Sequence, residues 1–369
     1  MHFSTVHSCD DSRILTKECR TLATRVEKIT LLALGTPPHE PGAVNISPLP
    51  THKNRLARVL LGSWRAIRAT LQQDADVYHF HDPELIPVGL FLRLVGKKVV
   101  YDAHEDLPLQ LQHKSWIPPI LRPPLTQLCH ILLWSAGHFF SGVVAATPSI
   151  ARRFPQAKTV LVQNFCRPEE IVLDDPSPYA DREPALAYVG GISRDRGIEV
   201  MLQAMELVPR DLSACLELAG PVDPTNLLDD LRLSPAWRHV TYHAWLARTD
   251  IARLLGRARI GMLILKPTPA YQESYPIKLF EYMAAGLPVI ASNFPLWTRI
   301  IETHGCGLLV EPSDPHEVAR AIAWLLNHPA EADEMGRKGR RAVYEHYSWD
   351  TQGENLVRLY ERILSPVSA

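Results

Sequence analysis

Residues 273–292 read ESYPIKLFEYMAAGLPVIAS, from Glu273 through Glu281 to Ser292. Pro276 suits the first turn of a helix, where a missing N–H costs nothing, so a helix is expected from about Ile277 to Ala285. Glu281 then lies one turn in. Val289–Ala291 follows as a short, wholly apolar strand. A strand that is apolar throughout, not on alternate residues, belongs to a parallel sheet covered by helices on both faces.

The same alternation recurs along the chain. Apolar, β-rich runs occur at Ile29–Leu34, Val77–Phe80, Lys98–Tyr101, Val143–Ala146 and Thr159–Val162. They recur at Leu186–Val189, Leu216–Ala219, Val240–Tyr242, Ile260–Leu265 and Gly307–Val310. Helical patterns lie between, such as Ile14, Leu15, Cys19, Leu22 and Ala23 behind the capping candidates Asp10–Ser12. The polar, proline-rich PEEIVLDDPSPYADREP at Pro168–Pro184 reads as a linker. The expected organisation is therefore an N-terminal Rossmann-like domain over 1–168, a linker over 169–184 and a second such domain over 185–348. A helix over 349–369 is expected to pack back toward the first domain.

At 369 residues the chain suits two domains, and 46% hydrophobic with 21% charged residues excludes a disordered or fibrous protein. Lys plus Arg number 39 against 40 Asp plus Glu, a net charge of −1, which argues against a dedicated nucleic-acid binder. The six cysteines form no CxxC pair and read as buried, reduced thiols. The opening MHFSTVHSCDDSR lacks the basic-then-apolar pattern of a secretory leader, so a cytoplasmic location is expected. Leu125–Ala151 contains no Asp, Glu, Lys or Arg. Its polar interruptions and Ser141-Gly142 favour helix, turn and strand over a membrane span. Leu107–Leu125, with Trp116, Ile117, Ile120 and Leu121 beside Lys114 and Arg122, fits a membrane-interface contact, a lid or a hydrophobic acceptor pocket.

Open α/β sheets bind ligands at the carboxyl ends of their strands. The helix start near Ile277 can hold a phosphate with its unpaired N–H groups. Lys278 can offset phosphate charge, Glu281 can accept from a ribose diol, and Glu273 from sugar hydroxyls. Asp74 and Asp76 precede a strand and read as solvated, and no HExxH or Cys/His spacing points to a metal.

The block from Glu273 to Glu281 resembles the E-x7-E region of family 4 glycosyltransferases, retaining enzymes of the GT-B fold. VHSCDDSRILTKECRTLA, HFHDPEL (His79–Leu85), VVYDAHEDLP (Val99–Pro108) and YVGGISRDRGI (Tyr188–Ile198) follow in that family's order. The resemblance covers most of the chain and is similar to bacterial exopolysaccharide-type members. It implies two doubly wound domains facing each other across a cleft, and sugar transfer from a UDP- or GDP-type nucleotide donor. The acceptor would be a carbohydrate, a polyprenyl-linked species or a small natural product. His104 and Glu273 would be catalytic, with Gly190, Gly191, Arg196, Lys278, Leu279 and Glu281 binding the donor. Asp11, Arg13 and His81 would line the acceptor side. No cofactor or metal is implied, no nucleic-acid partner is expected, and peripheral contact with the inner membrane surface remains open. The sequence departs from the family pattern at Gly191, where an arginine is usual; Arg194 is the neighbour that would have to reach in. The alternatives are a nucleotide-sugar epimerase or phosphorylase on the same fold, or a sugar-nucleotide-binding subunit without activity.

Overall fold

The computed structural model describes residues 1–38, 42–50, 62–113, 117–173 and 177–365. The chain divides into two compact units, Met1–Asn164 with Trp349–Ala369, and Phe165–Ser348. In the first, the strands are β1 (His2–Ser8), β2 (Ile29–Leu34), β3 (Val44–Leu49), β4 (Val77–Phe80), β5 (Lys98–Ala103), β6 (Gly142–Ala145) and β7 (Thr159–Leu161). They form one sheet in the order β3-β2-β1-β4-β5-β6-β7, parallel at every pairing. In the second, β8 (Ala185–Val189), β9 (Cys215–Ala219), β10 (Val240–Tyr242), β11 (Ile260–Leu263), β12 (Val289–Ser292) and β13 (Gly307–Val310) run in the order β10-β9-β8-β11-β12-β13. These pairings are parallel too. Each sheet therefore reverses its strand order once, between β1 and β4 and between β8 and β11. Such switch points open a crevice at the strands' carboxyl ends.

Helices cover both faces, as wholly buried strands such as β8, β11 and β12 require. Two strands had no counterpart in the sequence reading. Strand β1 buries polar residues (His2, Ser4 and Thr5), so no apolar run marks it. Strand β3 is an edge strand carrying Pro48, tolerated where one side needs no ladder bond. Residues Leu125–Ala151 fold as most of a helix (Arg122–Phe139), a turn, β6 and a short helix (Pro148–Ala151). Lys114 and Trp116 lie outside the described residues. Among the described residues no helix is long and apolar enough to cross a membrane. The six cysteines are free, and all but Cys215 are buried.

The stretch 169–184 differs from a free linker. It belongs to the second unit, with Ile171 and Tyr179 buried in that unit's core and the Tyr179 hydroxyl donating to the Arg259 carbonyl at 3.0 Å. The closing helix Trp349–Leu364 belongs to the first unit. Trp349, 1% exposed, donates from Nε1 to the Thr21 hydroxyl at 2.8 Å. Tyr360 meets His79 Nδ1 at 3.0 Å and His2 Nε2 at 3.1 Å.

Candidate functional site

In the second unit the site is built on the end of β8. The strand runs into Gly190-Gly191 at the switch point, with Gly190 at φ +112°. Gly220, just past β9, has φ +145°, and a Cβ there would lie 2.1 Å from the Gly190 carbonyl oxygen. The two turns thus press backbone on backbone, which only glycine permits. A short turn, Arg194–Arg196, then leads through Gly197 into the helix Ile198–Leu207. Gly197 has φ +71°, and a Cβ would lie 2.3 Å from the Ile264 carbonyl oxygen, so the turn is held against the end of β11.

Into this turn comes the helix Ile277–Ala284, entered through Pro276 and with no side chain capping its first turn. Lys278 and Glu281 lie three residues apart and share a face. Lys278 is 8% exposed. Its Nζ sits 3.9 Å above the Tyr188 ring and has no hydrogen-bond partner. A Cβ on Gly190 would come within 3.1 Å of that Nζ, and one on Gly191 within 3.2 Å of Arg196 Nη1. Two cations therefore crowd the glycine turn. Burial and the nearby Arg196 lower the Lys278 ammonium to about 7, against the opposing pull of Glu281. Burying a charge without a hydrogen-bond partner is costly, and an anion at this turn would offset that cost.

Glu281, also buried, accepts from Arg248 Nη1 at 2.7 Å, and Arg248 reaches Glu170 at 3.4 Å. No motif marked Arg248; it opens the helix Arg248–Arg257 that follows β10. Tyr282 fixes the helix from the other side, its hydroxyl accepting from the Val189 N–H at 3.0 Å.

Two expectations here require correction. Leu279 faces the core, fully buried, and its N–H bonds the Pro276 carbonyl at 3.0 Å, so neither group is free for a donor. Arg194 does not replace the missing arginine at Gly191: it pairs with Glu199, and with Asp230 at 2.9 Å. Glu273 is exposed, in a loop anchored by the bond from Trp297 Nε1 to the Ser274 carbonyl at 2.9 Å.

In the first unit the corresponding crevice is bordered by β1, β4 and β5. His104, just past β5, places Nδ1 3.3 Å from Asp102 Oδ2, and its side chain is 16% exposed. His7, at the end of β1, meets the His104 ring edge-on with centroids 5.0 Å apart. Burial alone would lower the His7 pKa, but Asp11 at 3.2 Å and Asp82 at 3.7 Å raise it. Asp11 caps the helix that begins at Ser12, accepting from the N–H groups of Arg13 and Ile14, both at 2.9 Å. Burial opposes its ionisation, yet the His7 and Ile14 bonds bring it to about 2.

Beneath these residues is a buried ionic cluster. Arg13 grips Asp102 with two bonds, 3.0 and 2.7 Å, and donates to the Val162 carbonyl at 3.1 Å. His81 Nδ1 bonds Asp102 at 3.0 Å, and its Nε2 meets His2 Nδ1 at 3.1 Å. Burial would raise the Asp102 pKa, but Arg13, His104 and His81 hold it well below the usual carboxylate range. Glu18, equally buried beside the Asp102 charge, is pushed well above that range despite Arg13 at 3.1 Å. Arg13 and His81 therefore correct the acceptor-side expectation. At 5% and 0% exposure they brace Asp102 from within and offer a ligand no surface. His2, Glu18 and His79, and likewise Glu18, His81 and Asp102, bring potential metal-ligating atoms within 4.8 Å of one another. Both His2 nitrogens already bond His81 and Tyr360, and Asp102 is committed to Arg13.

Two doubly wound Rossmann-like units, the second with a cationic glycine turn at its switch point, define the GT-B class. Residues 12–168 match the family model described as Glycosyltransferase Family 4, and residues 173–342 that of glycosyl transferases group 1. The chain belongs to the family 4 glycosyltransferases. An uncharacterized glycosyltransferase of Methanocaldococcus jannaschii is 28% identical over 181 residues, 49% of this chain and 45% of that protein. The chain thus matches about half the length of that relative. The MMP alpha-(1->4)-mannosyltransferase of Mycolicibacterium hassiacum is 23% identical over 330 residues, covering 83% of this chain and 76% of the relative. Among solved structures, Anabaena HepE in complex with UDP-glucose superposes with a TM-score of 0.74 at 13% identity, covering 98% of this chain and 99% of that one.

Proposed function

We propose that the protein is a retaining glycosyltransferase that moves a sugar from a UDP- or GDP-type donor to a carbohydrate, lipid-linked or natural-product acceptor. The observation that carries this reading is the buried Lys278 ammonium, without a hydrogen-bond partner, beside Arg196 at a glycine turn. A diphosphate supplies the missing counter-charge. The helix start at Ile277 adds N–H groups and a favourable dipole end. Glu281, held ready by Arg248, accepts from the ribose diol, and Glu273 addresses the sugar. The HepE structure that shares this fold contains UDP-glucose, in keeping with a nucleotide-sugar site.

In the reaction, the bond from the anomeric carbon to the β-phosphate oxygen breaks as the acceptor oxygen attaches on the same face. The acceptor proton passes to the departing phosphate. Negative charge grows on that phosphate, and Lys278 and Arg196 stabilise it most when it is greatest, which lowers the barrier and not merely the ground state. His104 is assigned to the positive charge that develops at the anomeric carbon. Calorimetric titration with UDP, GDP, ADP and TDP tests the reading. One of them binds at micromolar to millimolar concentration, and Lys278→Met abolishes the heat. If none binds at millimolar concentration, the donor site is wrong.

A further inference from the structure

We infer, resting on the donor site proposed above, that Arg248 is a positioning residue: by claiming Glu281 it keeps that carboxylate from closing on Lys278, and so leaves the Lys278 ammonium to a phosphate. Lys278 and Glu281 stand three residues apart on one helix face. Side chains so spaced have Cβ atoms about 5–6 Å apart and attract each other when opposite in charge. Both are buried, at 8% and 3% exposure, which would strengthen such a pair. Yet Lys278 Nζ lies 3.9 Å above the Tyr188 ring with no hydrogen-bond partner, and Glu281 Oε1 accepts from Arg248 Nη1 at 2.7 Å. One carboxylate stands between two cations, and the arginine holds it.

The position itself does not favour an arginine. Arg248 is the first residue of its helix, where the dipole disfavours a cation, and Ala247 before it supplies no side-chain cap. The helix's own first-turn acid, Asp250, is engaged by Arg253 at 2.8 Å. Arg248 reaches instead to Glu281 and, at 3.4 Å, to Glu170 in the turn Pro168–Glu170, so carboxylates from two other elements fix its fork. Burial opposes its charge, but Glu281 and then Glu170 raise its pKa above the ordinary arginine value. The groups facing Lys278 are Arg196 from the glycine turn, the Tyr188 ring from β8 and Glu281 from its own helix. Burial pushes the Tyr188 hydroxyl up to about 12, so it stays neutral, and Glu281 is the carboxylate among these three.

Urea titrations of the intact chain at pH 7 and pH 10 test the inference without nucleotide. Lys278, lowered to about 7 in the fold, makes the parent gain stability as pH rises, and Lys278→Met removes that share of the gain. In an Arg248→Gln background Glu281 turns to Lys278 and returns its titration toward the ordinary lysine value, so adding Lys278→Met should then remove almost nothing. Adding Glu281→Gln to Arg248→Gln takes the competing carboxylate away, and the lysine's share should come back. The Arg248 side chain is 41% exposed, so its replacement is expected to leave the fold intact. A merely structural arginine would lower the urea midpoint alike at both pH values and leave the lysine's share untouched. That result, or a share that Glu281→Gln fails to restore, overturns the inference. Calorimetric titration with UDP and GDP at pH 8 reads the consequence for binding: Arg248→Gln should bind about tenfold more weakly or worse, and its proton uptake should fall from nearly one to a small fraction. Equal affinity with undiminished uptake also overturns the inference. If the urea titrations behave as expected and neither nucleotide binds the parent, the donor reading fails while the hold of Arg248 on Glu281 stands.

Discussion

Replacing Lys278 by Met should make the protein more stable and unable to hold nucleotide. The lysine titrates near 7 in the fold against 10.5 ordinarily, because it is buried beside Arg196. At about 1.36 kcal/mol per pH unit, holding it in place costs about 4 kcal/mol at pH 7, where half the molecules keep the proton. Methionine fills similar volume without a charge but forfeits the contact over Tyr188. A net gain of about 2–4 kcal/mol remains. The sign follows from linkage: the folded state binds fewer protons than the unfolded one. The parent therefore gains stability as pH rises from about 7 to about 10.5, and the variant lacks that slope. Denaturant titrations at pH 7 and pH 10 measure both. Nucleotide diphosphate restores the ammonium, so at pH 8 binding to the parent should take up nearly one proton, read by calorimetry in buffers of different ionisation enthalpy. A variant less stable than the parent, or binding without proton uptake, would refute the reasoning.

The glutamates of the same block should separate. Glu281→Ala weakens free nucleotide binding by about 1–3 kcal/mol, whereas Glu273→Ala spares it and lowers transfer; equal loss of nucleotide affinity in both contradicts their assignment. His104→Ala should keep its melting temperature and donor affinity while turnover drops about 100-fold, and a destabilised variant with normal kcat removes it from the chemistry. Asp102→Asn leaves Arg13 buried with a weakened partner and should destabilise the fold by about 3–5 kcal/mol in urea titration; a stable variant would mean that the cluster is wetter than it looks.

Most of the fold was legible because the central strands, such as β4, β6, β8, β11 and β12, are buried on both faces and so read as apolar runs, and the less buried β7, β10 and β13 still carry β-branched or aliphatic residues. The exception with functional weight is β1: its inward residues are polar, matched to Asp82 and to histidines some eighty positions away, and no local pattern reveals that pairing. The glycine turn was legible for the opposite reason, since Gly190 and Arg196 stand in one short block and Lys278 and Glu281 in another. Within the second block, helix geometry separates what sequence adjacency joins: Lys278 and Glu281 share a face, and Leu279 turns into the core. Arg13 and His81 were expected on the acceptor side from the family resemblance of the motifs that follow β1 and β4. Only the three-dimensional pairing with Asp102 shows that their charges serve each other. Arg248 was invisible, because its partner Glu281 is distant in sequence.

The return of the helix Trp349–Leu364 to the first unit bears on how the chain emerges during synthesis. A growing polypeptide that has reached Asn164 still lacks Trp349 to cover Thr21 and Tyr360 to meet His2 and His79. All of Phe165–Ser348 must be translated first, a delay on the order of 10–40 s at ordinary elongation rates. The second unit is contiguous and can close as soon as it leaves the ribosome. The half of the molecule that is made first is therefore completed last, with its apolar flank open to the surrounding milieu in the meantime.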